Sequence, residues 1–347
     1  MNKSPTITIC GRKIGSDFSP LVIAEIGINH EGSFDKAVRM VDDAFGAGCE
    51  CVKFQSHIIE DEMIPNDVIP GNAKESIWAI MKRCALTEEQ ERDLKAYVES
   101  KKMIFLSTPF SRAAAIRLEQ MGVTAYKIGS GECNNFPLIK HIATYGKPII
   151  LSTGMNSMGT IRKSVAILRK HSIPYGLMHC TSIYPTPYTK IRLNALQELK
   201  SEFPDAVIGL SDHSLSNYPC LGAVAMGANI LERHFTSDKT WPGPDIEISM
   251  DPSDLKELID GSAIIHQTLG GEKAVLKEEQ LTIDFAYACV VSIKDINPGD
   301  IFTMENIWVK RPGTGELKAE EFEKILGKRA KGFISINTQL RRSQIEE

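Results

Sequence analysis

The chain has 347 residues, 42% of them apolar and 24% charged, with a formal net charge of −4. This length exceeds one typical domain and leaves room for a large core plus an appendage, and the mild acidity excludes a bulk polyanion binder, so no nucleic-acid partner is expected. No run of about 18 apolar residues occurs, and MNKSPTITICGRKIG has no apolar stretch after its lysine, so neither a membrane span nor a secretory leader is expected. The eight cysteines form no CxxC pair and read as reduced, mostly buried thiols of a cytoplasmic protein. Cys49 and Cys51 are expected to point the same way along one strand.

In chain order, short β-rich apolar runs fall at 21–28, 51–56, 103–109, 125–130, 148–153, 175–180, 207–212 and 229–235, with helical segments between them. Near-continuous hydrophobic strands of this kind belong to a parallel sheet buried on both faces. Thr87 and Gln90 form a capping box for a helix ending near Lys101. Asp251-Pro252 supplies an N-cap and an N1 proline for a helix through Leu269, stopped by Gly270-Gly271. Eight β-then-α units in roughly 250 residues match a (β/α)8 barrel of the TIM type. A doubly wound open sheet shares the alternation, but the unit count and the polar strand ends favour the barrel. Three segments are expected: a barrel over 1–270, a charged linker over 271–284, and a small domain over 285–347 carrying the turn Asn297-Pro298-Gly299-Asp300.

Barrel enzymes place catalysis at the C-terminal strand ends. Those ends carry Glu25; Lys53 and Gln55; Ser107 and Thr108; Lys127 and Ser130; Ser152; His179 and Tyr184; Ser211 and His213; and His234. An unpaired buried polar group costs roughly 1–3 kcal/mol, so this set calls for a ligand or for mutual pairing. Lys53 and Lys127, flanked by apolar residues, either pair with a carboxylate or bind an anion, and the nearby serines and glycines suit phosphate oxygens. His213 and His234 end adjacent strands and offer two imidazoles to a divalent metal with open positions; as ordinary core histidines they would be satisfied by protein groups. Glu25 handles a proton or simply pairs with a lysine. Glu232 shares the facing of His234, as a partner to it or as a helix-facing charge, while Arg233 points away. His30, His57 and His179 read as loop or satisfied core histidines.

The runs IAEIGINHEGS, VKFQSH, STPFS, AYKIGSGECNN, IILSTGM, HCTSIYPTP, GLSDHS, LERHFT and GPD occur here in order. Together they resemble the N-acetylneuraminate (sialic acid) synthase family, above all its bacterial members that make N-acetylneuraminate. The stretch VVSIKDINPGDIFTMENIWVKRPGTG…LGKRA resembles the antifreeze-like (SAF) domain that ends such enzymes. The resemblance implies metal-dependent condensation of phosphoenolpyruvate with N-acetylmannosamine and water, giving N-acetylneuraminate and phosphate by C–O cleavage through a tetrahedral intermediate. It implies metal ligands at His213 and His234, with Mn2+ the usual ion and Mg2+ or Co2+ as alternatives. It places Lys53, Lys127, Ser130, Ser152, Tyr184 and Ser211 on phosphoenolpyruvate, Glu25 in proton handling or substrate orientation, and Gln55 and Asp245 near the acceptor sugar. It further implies a domain-swapped homodimer, with Arg311 and Phe285 of one subunit reaching the partner's acceptor. Related enzymes often carry asparagine where this chain has Ser182 after Thr181, so a retuned phosphate contact is expected there. Sibling synthases of legionaminic- or pseudaminic-type acids, a Schiff-base aldolase using Lys53 or Lys127, and a carbohydrate- or ice-binding module are the rival readings.

Overall fold

A computed structural model describes residues 4–346. The chain divides into two compact units, Met1–Gly270 and Gly271–Glu347. In the first unit, β1 (Thr6–Ile9) and β2 (Arg12–Gly15) form an antiparallel hairpin. Eight parallel strands follow: β3 (Leu21–Gly27), β4 (Cys51–Ser56), β5 (Ile104–Pro109), β6 (Tyr126–Ile128), β7 (Ile149–Ser152), β8 (Tyr175–Cys180), β9 (Val207–Asp212) and β10 (Ile230–His234). Their order is β5-β4-β3-β10-β9-β8-β7-β6, and β5 adjoins β6, which brings the ends of the sheet together into a barrel. Helices alternate with the strands throughout.

Two-residue periodicity sorts each strand into two cores. Outward-facing Val22, Ala24, Val52, Phe54 and Phe105 pack against helix residues such as Met40, Val41, Leu94 and Val98. Inward-facing Leu21, Ile23, Cys51, Ile104, Leu106, Ile150, Met178, Val207 and Ile230 fill the lower half of the barrel. Continuing the same inward rows by two residues gives Glu25 after Ile23, Lys53 after Cys51, Thr108 after Leu106, Ser152 after Ile150 and Glu232 after Ile230. One register therefore makes an apolar floor and a polar top layer. Gly209, on the row ending at Ser211, leaves room where a Cβ would strike the Ile230 carbonyl.

The N-terminal hairpin, which the sequence reading passed over, packs Ile7, Ile9 and Ile14 into the inward core beside Leu21 and Ile23. Its two-residue turn, Cys10-Gly11, has positive φ at both positions (49° and 80°), the geometry that matches strand twist in tight hairpins. Both expected caps form: Thr87 and Gln90 bond reciprocally at the start of helix Glu88–Ser100, and Asp251 caps helix Pro252–Thr268. Cys49 and Cys51 do not face alike. Cys49 precedes β4, outside the pleat, and joins the outer core, while Cys51 faces inward. Ser130 likewise lies beyond β6, in a 3-10 turn over Ser130–Glu132.

In the second unit β11 (Cys289–Ser292) pairs antiparallel with β12 (Ile307–Lys310) over a small core of Val290, Ile296, Phe302, Ile307, Leu317 and Leu340. Gly299 has φ +83°, as the third position of a Pro-Gly turn requires. The 271–284 segment is not a plain linker. It enters a helix, Gln280–Ala286, and the Gly313 amide donates to the Asp284 carbonyl at 2.7 Å, tying it to the second unit. Among the described residues, no helix is long and apolar enough to cross a membrane.

Ile14 is fully buried in the barrel floor. Ile14→Ala should cost about 2–5 kcal/mol by urea denaturation, the range for a large-to-small core change, and a loss near zero would place the hairpin outside the barrel's core.

Candidate active site

The polar top layer is a set of buried charges that answer one another. Lys53 Nζ lies 2.7 Å from Glu25 Oε2 and 3.8 Å from Glu232 Oε1. Lys127 Nζ lies 3.5 Å from the same Glu232 oxygen and donates to Ser152 Oγ at 2.6 Å. Thr108 Oγ1 accepts from Lys53 at 3.3 Å, and Ser211 Oγ donates to Glu232 Oε1 at 3.2 Å. Two lysines thus stand against two glutamates, all of them under one-tenth exposed. Burial opposes charge on Lys53, but Glu232 and Glu25 outweigh it and raise the amine above its ordinary range. Lys127 goes the other way: burial lowers it, and Glu232 only partly compensates. Burial would raise Glu232, yet Lys127, Lys53 and the two histidines hold its carboxyl below the usual range.

Above this layer, the rings of His213 and His234 lie 5.5 Å apart, and Tyr184 stacks on His213 at 4.2 Å. His213 Nδ1 sits 3.1 Å from the Thr181 carbonyl. His234 Nδ1 is buried without a hydrogen-bond partner, 3.8 Å from Asp245 Oδ2, and burial lowers its pKa, which keeps the imidazole neutral and free to coordinate. Among the described residues no cluster of three or more His, Cys, Asp or Glu side chains forms a ready metal cage. The pair therefore fits a metal only if water or substrate completes the coordination.

Of the residues singled out in the sequence, Glu25, Lys53, Gln55, Lys127, Ser130, Ser152, Ser182, Tyr184, Ser211, His213 and His234 line one cavity of about 280 Å3. Asp245 lines an adjoining cavity of about 230 Å3 that shares Gln55, Tyr184 and His234 with the first. Phe285 and Arg311 lie on the C-terminal unit: Phe285 is 63% exposed, and Arg311 edges a groove with Lys310, Gln339 and Arg341. Glu232 is neither a histidine partner nor helix-facing; it bridges both lysines from inside the barrel. His57 is a satisfied core histidine, its ring bonded to Gln55 and Glu62. His30 and His179 are ordinary: the His30 ring accepts from the Gly32 amide, and His179 bonds the Ile191 carbonyl. Arg233 points outward to Asn217 and the Ser214 carbonyl.

Asn72, Phe110 and Cys180 also line these cavities without having been singled out. Asn72 sits in a long loop with no periodicity to mark it, and its amide donates to Asp245 Oδ1 at 3.2 Å. Cys180 was legible in principle, two residues past inward-facing Met178 on the same strand.

Removing Glu232 would leave two buried lysines facing one glutamate. Glu232→Gln should destabilise the ligand-free protein by about 3 kcal/mol at neutral pH, the cost of breaking a buried pair. A carboxyl depressed in the fold contributes stability above its unfolded value of 4.5 and loses it as pH falls through the lower folded value. The gap in melting temperature between wild type and variant should accordingly close in acid, and inorganic phosphate should raise the variant's melting point more than the wild type's. A gap that persists unchanged in acid would mean that Glu232 carries no charge in the fold.

The NeuB family profile matches residues 40–274, and the SAF domain profile matches residues 287–346. The N,N′-diacetyllegionaminic acid synthase of Campylobacter jejuni is 37% identical over 324 residues, 89% of this chain and 95% of that protein. The human N-acetylneuraminate-9-phosphate synthase is 32% identical over 328 residues, 92% of this chain and 90% of that protein. In structure, the N-acetylneuraminic acid synthetase of Leptospira borgpetersenii superposes with a TM-score of 0.74 at 35% identity, covering 81% of this chain and 95% of that one. With its inward polar layer carried on eight parallel strands and the family profile spanning most of them, this chain belongs to the NeuB family of sugar-acid synthases and ends in a SAF domain.

Proposed function

We propose that the chain is an N-acetylneuraminate synthase, joining phosphoenolpyruvate to N-acetylmannosamine with water and releasing phosphate. The observation that carries this reading is the pair of lysines, ringed by serines, beneath two histidines in a cavity that opens onto Gln55 and Asp245. Such a site has an anion-holding floor and a polar acceptor side. Lys53 and Lys127 hold the carboxylate and phosphate of phosphoenolpyruvate, and the hydroxyls of Ser130, Ser152, Ser182, Ser211 and Tyr184 complete the donors. Ser182 offers one donor where an asparagine offers two, so its phosphate contact is single. Gln55 and Asp245 orient the open-chain sugar, and Glu25, bonded to both Lys53 and Gln55, lies between the two ligands to move a proton.

His213 and His234 would hold a divalent ion, Mn2+ first with Mg2+ and Co2+ as alternatives, whose Lewis acidity would polarise the acceptor aldehyde. C3 of phosphoenolpyruvate attacks the aldehyde carbon, water adds at C2, and the resulting tetrahedral intermediate expels phosphate by C–O cleavage. The paired lysines and the enclosed floor hold these anions in register while excluding bulk water. A Schiff-base route needs a neutral lysine. Lys53 is held charged, so borohydride trapping with pyruvate would have to label Lys127.

We further read the working unit as a domain-swapped homodimer in which the C-terminal unit of one copy brings Phe285 and Arg311 to the acceptor end of its partner's barrel. In support, Met155, Ile183, Tyr188 and Leu215, on the loops after β7, β8 and β9, are exposed apolar side chains, as is Phe285 on the C-terminal unit. A diacetamido hexose as acceptor is the second reading, favoured by the likeness to a diacetyllegionaminic acid synthase.

Incubation with phosphoenolpyruvate, N-acetylmannosamine and Mn2+ should release one phosphate per N-acetylneuraminate, and a chelator should stop it. Turnover with a diacetamido hexose alone would overturn the acceptor and keep the chemistry. His213→Ala should lower turnover by about 100-fold or more. Arg311→Ala should raise the acceptor KM by roughly tenfold, the loss of one charge-assisted hydrogen bond. Mixing these two inactive or weakened variants should restore activity by pairing an intact barrel with an intact cap; a mixture no better than its parts would sink the swapped dimer.

A further inference from the structure

Gln55 faces both cavities, and what holds it is a chain of groups running away from the ligands. Its Nε2 donates to Glu25 Oε1 at 3.0 Å, and its Oε1 lies 3.0 Å from His57 Nε2. On the far side of the ring, His57 Nδ1 lies 2.7 Å from Glu62 Oε2. The ring is buried and stacked flat on Phe110, with centroids 4.7 Å apart, which fixes its plane.

Glu25 is ion-paired to Lys53 and only accepts hydrogen bonds, so the Gln55 amide must turn its N–H toward Glu25 and its carbonyl toward His57. A flipped amide would set its oxygen against a carboxylate. His57 is then flanked by the Gln55 carbonyl and the Glu62 carboxylate, one at each ring nitrogen. Glu91 is taken by Ser56 at 2.8 Å and Arg117 at 3.1 Å, and Glu25 and Lys53 satisfy each other, so none of them competes for the ring.

We infer that His57, held between Glu62 and Gln55, is a positioning residue that locks the Gln55 amide and thereby selects the orientation of the acceptor sugar. It touches neither substrate. It rests on the proposed condensation only for its effect on turnover, because the contacts of the ring are those of the free protein. Glu62, at the end of the short helix Ile59–Glu62 after β4, is the anchor of the relay.

The test uses the full-length protein with phosphoenolpyruvate and N-acetylmannosamine. His57→Phe keeps a ring against Phe110 but donates nothing to Gln55. It should raise the acceptor KM by about tenfold, the scale of one lost hydrogen bond, with the phosphoenolpyruvate KM within about twofold of wild type. Combined with Gln55→Ala it should be no worse than Gln55→Ala alone, since one residue acts through the other. Additive losses, or equal rises in both KM values, would assign His57 to packing and overturn the inference. If His57→Phe does not fold, Glu62→Gln, at the less enclosed end of the relay, carries the same cycle. A second readout needs no turnover: 15N signals of the His57 ring, assigned by their loss in a His57 variant, should shift on Gln55→Ala. Ring signals that do not move overturn the inference. If the wild type condenses no amino sugar, the proposed function falls and the ring signals still decide this point.

Discussion

The barrel interior changes character between one residue and the next inward-facing one. Below that line the rows end in Ile23, Cys51, Leu106, Ile150 and Ile230; above it stand Glu25, Lys53, Thr108, Ser152 and Glu232. What makes the upper layer possible is the mutual answering of Lys53, Lys127, Glu25 and Glu232. A single buried charge in this position would neutralise or unfold the barrel, whereas two of each sign within a few ångströms hold one another. The four come from β3, β4, β6 and β10: the first, second and last are neighbours in the sheet, and closure brings Lys127 of β6 to them.

The same balance explains how the site remains receptive. Glu232 spends one oxygen on both lysines and on Ser211, while its other oxygen has no hydrogen-bond partner. His234 Nδ1 is similarly buried and unmatched. These are unspent positions in a layer otherwise paired, and they cluster where strand ends meet the loops. Because lysines and glutamates cancel, a divalent cation at the histidines would tip the cavity positive, and a multiply charged anion would restore it. The protein's own charges then act as a cradle whose net sign depends on what else is bound.

Outside the barrel wall, polar residues hold polar residues in turn. Asn72 fixes Asp245, and Glu62 reaches Gln55 through His57. Gly27, at the register shift between β3 and β4, belongs to the same arrangement: its φ of +54° bends the strand end, and a Cβ there would crowd both Gln55 and Glu25 at 3.1 Å. The backbone irregularity sits beside the side chains that need space.

Much of this was legible in the amino-acid order. Eight apolar runs marked eight strands to within a residue or two, because strands buried on both faces have few alternatives in composition, and Thr87 and Asp251 marked their helices because caps are local chemistry. Period-two facing also brought the lysines, serines and histidines to one end. Where facing was extrapolated past a strand end, as for Cys49, it failed, since the pleat that enforces it had stopped. The hairpin plug was hidden because its isoleucines declare a purpose only against a barrel floor assembled from residues 21 to 230. Partnership was hidden for the same reason: the orientation of Glu232 and the grip of Asn72 on Asp245 depend on neighbours tens to hundreds of residues away. Local spacing and burial determined which side chains enter the barrel; the order and register in which distant strands pair, with closure of the sheet, decided which of them touch.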